Sequence, residues 1–251
     1  MSTDDTEQSP FTRPAFVWAA IVVGLVLVLG AILGIKALTS GNDKNTTAAP
    51  TTTAKSTTAA TTPSPSAPVG DESRSTCGLP GIVLTGTVSV APSATWAYEG
   101  TIAYPASSKY GPGATDSSGV RYCFQHSPEG ALFAGANLLV QTADRPMVAA
   151  AIERFVPAGS YRDGLLANAS SAAPTTGVRI ALGGFRLLAY TGDTARVDIG
   201  ANTSVNGTPG AGSYVYELTW QDGDWKLNTK PTEASGYTAL PNLAGYVLWG
   251  K

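Results

Sequence analysis

Ala15 to Ile35 is an uncharged, almost wholly apolar run of 21 residues, and a stretch of Thr, Ser, Ala and Pro follows it. A bilayer core of roughly 30 Å is crossed by about 20 helical residues at about 1.5 Å each. The run therefore divides the chain before anything else is known of it. The expected parts are a cytoplasmic tail over 1–14, a membrane helix over 15–38, a stalk over 39–76 and one extracytoplasmic domain over 77–251.

A cleaved signal peptide carries a basic start, an apolar core of about 7–15 residues and a small-residue cleavage site. Here the run is longer, and Asp4, Asp5 and Glu7 outnumber Arg13 in the tail before it. A retained single-pass anchor fits better, and with no Cys near the end of the run a lipoprotein signal is excluded. Arg13 favours a cytoplasmic N-terminus, while Lys36 and Lys44 oppose it weakly. The stalk and the cysteines decide for an outside domain. Gly30-Ala-Ile-Leu-Gly34 has the small-xxx-small spacing that lets membrane helices approach closely, so Gly30 and Gly34 are candidate helix–helix contacts for a homodimer.

The stalk holds Thr51-Thr-Thr53 and Pro63-Ser-Pro-Ser-Ala-Pro68 and has almost nothing apolar to bury. Folding could not offset its backbone entropy, and Pro with β-branched Thr favours extended conformations. The two cysteines are Cys77, where the stalk ends, and Cys123, in the run Val120-Arg-Tyr-Cys-Phe124. They read as one disulfide, worth roughly 4 kcal/mol on the chain-entropy model, or as two reduced core thiols. A net charge of −2 and a pI near 5.4 leave no basic footprint for nucleic acid.

Within the domain, Ile82 to Val90 alternates as one strand, and Trp96, Tyr98 and Tyr104 pack in an irregular segment. Arg121 to Phe124 forms a short strand. Ser127 caps a helix with Pro128 at its first position, running to about Gln141 and apolar on most of its circumference. Asp144-Arg-Pro146 opens a second helix by the same device, and a third lies near Tyr161 to Asn168. From Val178 the period changes from 3.6 to 2. Val178 to Tyr190 is a strand with a bend at Gly183-Gly184, Thr194 to Thr203 a second, and Tyr214 to Trp220 a third. Asp222-Gly223 turns that third strand into a hairpin. The predicted class is α+β: a curved antiparallel sheet packed on helices.

This order, with Trp220-Gln-Asp-Gly-Asp-Trp225, resembles the nuclear-transport-factor-2-like (cystatin-like) cone, a fold also used outside the membrane by bacterial conjugation proteins. Tyr104-Pro105, Gly111-Pro112 and Phe124-Gln-His-Ser-Pro-Glu-Gly-Ala-Leu-Phe-Ala-Gly-Ala-Asn137 resemble an uncharacterised domain family. That family is associated with membrane-anchored proteins on integrative conjugative elements of high-GC Gram-positive bacteria. The resemblance spans residues 95–230 and brings no catalytic residues with it.

The single histidine, His126, precedes the helix cap, where it serves the backbone; no Gly-x-Ser-x-Gly elbow and no phosphate loop accompany it. One His and two Cys, expected to be bonded to each other, do not supply the three or four ligands of a metal site. Asp222 and Asp224 are expected to satisfy turn backbone; Arg179, Arg186, Arg196 and Asp198 either line a pocket between sheet and helices or face solvent, and solvent is the expectation. Tyr237, Tyr246 and Trp249 either dock the tail on the core or form an exposed partner patch, and docking is the expectation. No cofactor or metal is expected. The reading is a non-catalytic, membrane-held scaffold whose partners are other envelope or transfer-apparatus proteins. The alternative is a module binding a lipid or cell-wall fragment in a cone cavity.

Overall fold

The computed structural model of the protein describes residues 74–171, 177–230 and 236–251. The predicted tail, membrane helix and most of the stalk, with Gly30 and Gly34, lie outside them. Among the described residues no helix is long and apolar enough to cross a membrane.

The architecture is mixed α+β, a curved and unclosed antiparallel sheet with helices against it. A hairpin, β1 (Thr95–Glu99) and β2 (Ile102–Ala106), comes first, then the two-residue strands β3 (Ala114–Thr115) and β4 (Arg121–Tyr122). Helix α1 (Pro128–Ala143) follows, then a 3-10 turn (Arg145–Met147), α2 (Val148–Phe155) and α3 (Ser160–Ser171). The main sheet is built from β5 (Val178–Tyr190), β6 (Thr194–Val205), β7 (Thr208–Gln221) and β8 (Asp224–Leu227) in sequence order. The edge of β7 is shared: β8 pairs with Leu218–Gln221, and β9 (Gly236–Leu240) pairs with Ala211–Val215. The last strand, β10 (Val247–Leu248), lies on Gly184 and Phe185 of β5.

Helix α1 forms for reasons visible in its residues. Ser127 Oγ accepts from the Gly130 N–H at 2.9 Å, Pro128 needs no N–H partner, and Ala and Leu fill much of the rest. It ends where Asp144 turns extended, ahead of Arg145-Pro146. Every residue from Gly130 to Gln141 is buried, so α1 is a central rod, not a surface helix. One sheet face meets it with Phe185, Val197, Ile199, Tyr214, Tyr216 and Leu218.

Gly135 makes that approach possible. A Cβ there would stand 2.5 Å from Val197 Cγ2. Gly135→Ala should therefore lose about 1–3 kcal/mol through overpacking, despite gaining about 1 kcal/mol of helix propensity. Adding Val197→Ala should return part of the loss in urea denaturation. A Gly135→Ala protein as stable as the wild type would refute this packing account.

Three local expectations need correction. Ile82 to Val90 is no strand: Ile82 makes a single bridge to His126, and Gly86 at φ +128° breaks the extended run. Trp96, Tyr98 and Tyr104 lie in the regular β1–β2 hairpin, turned by Gly100 at φ +54°. Pro105 disguised it, because proline argues against a strand; in a two-stranded ribbon each strand is an edge and proline is tolerated. The strand at Arg121 stops after Tyr122, since Cys123 adopts φ +66°.

Candidate functional site

Two poles of the domain carry its polar chemistry, and α1 separates them by roughly 24 Å, its 16 residues at about 1.5 Å each. At the N-terminal pole of α1 the chain enters the fold. Cys77 and Cys123 are joined by a disulfide, with Cα atoms 6.0 Å apart. The Thr76 N–H donates to Gly223 O at 2.8 Å, tying the incoming chain to the β7–β8 hairpin turn. That turn is Asp222-Gly223 as expected, both residues at positive φ (55° and 72°).

Asp224 does not serve the turn alone. Buried at 2% exposure, its carboxylate accepts from the N–H groups of Cys123 (2.8 Å), Phe124 (2.9 Å) and Trp225 (3.0 Å). It holds the chain just after the disulfide to β8. Beside it the Trp225 indole donates to Gln125 O at 3.0 Å. His126 is buried, stacks on Trp220 at 3.9 Å and bonds Gly192 O through Nε2 at 2.9 Å. Its backbone role is as expected; the indole stack comes from a strand almost a hundred residues later.

At the other pole a cleft of about 330 Å³ opens between the β1–β2 turn, the end of α1 and the start of β5, lined among others by Glu99, Thr101, Asp144, Arg145 and Arg179. Asp144 was expected to cap the second helix, but its side chain makes no capping bond and stands in the cleft with the Glu99 carboxylate. Burial, then the neighbouring Glu99 charge, raises the Asp144 carboxyl above its ordinary value of 3.8. The folded state thus holds the proton more firmly than the unfolded chain does. The stability this provides is complete below 3.8 and disappears as pH rises through the raised value. Asp144→Asn should cancel that part of the pH dependence, so the variant gains on the wild type from acid toward neutral pH in urea titrations. Parallel pH profiles would contradict the carboxyl pair.

Behind the cleft, Arg121 is 4% exposed, pairs with Glu99 and donates from Nε to Asn137 Oδ1 at 3.0 Å. Its guanidinium lies 3.7 Å from the Tyr104 ring centre. Among the described residues no group of three or more His, Cys, Asp or Glu stands together as a metal site.

The far face of the sheet corrects the solvation reading. Asp198 is fully buried and accepts from Ser213 Oγ (2.7 Å), Tyr246 OH (2.8 Å) and Arg186 Nε (3.0 Å). The C-terminal segment covers it: Tyr246 and Leu243 lie where side chains at Gly184 and Gly200 would stand. Arg196 sits opposite Glu217 in the β6–β7 register, while Arg179 lines the cleft. Trp249 docks on the helix side of the sheet, as expected, and Tyr237 packs on Tyr214. Tail and strand were separated in sequence, so no local pattern marks Asp198 as covered.

A family model described as a domain of unknown function, DUF8175, matches residues 40–248. The chain belongs to that family. No curated protein and no solved structure matches it significantly. The DUF8175 match begins after the apolar run and takes in the Thr/Ser/Pro-rich residues that follow it, the chain-entry pole and the cleft pole, a wider span than the 95–230 resemblance.

Proposed function

We propose that this DUF8175 protein is a single-pass membrane protein whose domain is a non-catalytic scaffold outside the membrane. It belongs to a conjugative transfer or cell-envelope assembly. The observation that carries the reading is the order of parts: the apolar Ala15 to Ile35, a stalk with nothing to bury, and a domain whose first residue, Cys77, is covalently tied to its core. The helices-then-meander order and the Trp220–Trp225 hairpin support a nuclear-transport-factor-2-like cone, and with it the conjugative setting. The disulfide supports an oxidising compartment.

The test is fractionation with protease shaving. The full chain should sediment with membranes, stay there in carbonate, and lose its domain to protease added outside intact cells. Affinity capture after detergent extraction should bring down other envelope proteins. A chain recovered in the cytosolic fraction would overturn the reading.

A second reading is small-ligand binding, and the cleft beside Glu99 and Asp144 favours it. Leu132, Phe133, Phe185, Ile199 and Trp249 occupy the space between α1 and the sheet. A ligand in this reading is therefore polar and sits at the rim. Thermal stabilisation by cell-wall fragments, lost in Glu99→Gln, would support it; no shift with any fragment would remove it.

A further inference from the structure

We propose that the Cys77–Cys123 bond makes the domain a tension-holding anchorage, passing pull from the stalk directly into the core and leaving residues 78–122 outside the path of force. The proposal rests on the membrane-anchored reading for its setting, and on connectivity for its mechanics.

Pull arriving along the chain meets the Thr76 N–H to Gly223 O bond immediately before Cys77. The disulfide then carries it to Cys123, 46 residues further on. Cys123 is completely buried and strongly held. Its N–H and that of Phe124 are fixed by the Asp224 carboxylate on β8. Gln125 O is held by Trp225, and Ser127 caps α1. Force at Cys123 therefore loads a helix and a strand together, so several contacts must fail at once.

Without the bond the same pull would act on the chain after Cys77, whose attachments come one at a time. Gln125 Nε2 donates to Pro80 O, Val83 N–H to His126 O at 2.8 Å, Tyr190 OH to Val83 O at 2.7 Å and Trp249 Nε1 to Pro92 O at 3.1 Å. Each is worth about 0.5–1.5 kcal/mol, and bonds in series break in turn. Between them Val83, Leu84 and Val90 are exposed and only Val88 reaches the core, so little burial resists peeling. The disulfide persists only in an oxidising compartment, so the anchorage is strong outside the membrane and weak inside.

Single-molecule force spectroscopy tests this on the full chain, tethered before Met1 and through a tag in the exposed Asn206-Gly207 turn. Oxidised protein should resist until its core ruptures. After dithiothreitol is added to folded, tethered molecules, a low-force step should precede that rupture. It should release the chain from Gly78 to about Ala94, ahead of the core-packed β1–β2 hairpin, about 17 residues and roughly 60 Å of contour. Cys77→Ser with Cys123→Ser should reproduce the step, and reduction in place keeps the test open if that variant does not fold.

Tyr190→Phe removes one peeling contact. It should lower the early step in the reduced protein and leave the oxidised rupture force unchanged. Identical oxidised and reduced traces, or an oxidised protein weakened by Tyr190→Phe, would overturn the proposal. Both tethers are on the protein, so the outcome does not depend on insertion of Ala15 to Ile35; failure of the anchor would appear in fractionation alone.

Discussion

Trp249→Ala is expected to destabilise the domain by about 3–5 kcal/mol in urea denaturation, the range for deleting a buried large aromatic. Trp249 is 5% exposed although only two residues follow it. Its indole meets Phe133 of α1 at 5.1 Å, Phe185 of β5 at 5.6 Å and Trp96 of β1 at 5.5 Å, each near edge-to-face. Its Nε1 donates to Pro92 O at 3.1 Å. One side chain thus joins the central helix, the edge of the sheet and the first hairpin. Trp249→Phe, which keeps a ring but loses that donor, should cost clearly less. A loss below about 1 kcal/mol for the alanine variant would mean that the tail is an ornament to the core, not part of it.

The second large effect is expected at Arg121. Removing one partner of a buried ion pair costs about 3–5 kcal/mol, and Arg121→Met should fall near 3 because Glu99 keeps access to water. The side chains on either side are 5% and 24% exposed. The methionine would fill the space over Tyr104 but leave Asn137 Oδ1 without its donor, and Asn137 is completely buried. The Gln141 bond to the Arg121 backbone at 2.6 Å should survive, so the variant should weaken without changing fold. Combining it with Glu99→Gln should cost less than the sum of the two single changes, since they share one interaction. Additivity would show that the pair is not coupled.

Much of the architecture is legible in residue order because it is local. Ser127-Pro128, the Ala/Leu/Gly helix, the alternation from Tyr214 to Trp220 and the Asp222-Gly223 turn each hold their signal within a few positions. The bend at Gly183-Gly184 is likewise present, as a register shift between Leu182 and Gly184. The misreadings have a different source. Asp144 matches a helix cap in sequence, yet its side chain makes no cap bond and shares the cleft with the Glu99 carboxyl of β1. Pro105 argues against a strand that a two-stranded ribbon permits. Asp198 alternates as an outward residue on its strand, and only a tail 48 residues later buries it.

The sequence by itself determined the apolar run from Ala15 to Ile35, the helix at Pro128 and the strand meander, because capping, turn chemistry and hydrophobic period act over a few residues. Only the tertiary structure decided the two poles, the Arg121–Glu99–Asp144 cluster and the burial of Asp198 by the tail. It also decided that Cys123 is held by Asp224, a residue about a hundred positions away. Those arrangements depend on which distant segments share space, and burial and charge pairing are set by such neighbours, not by the residue's own position in the chain.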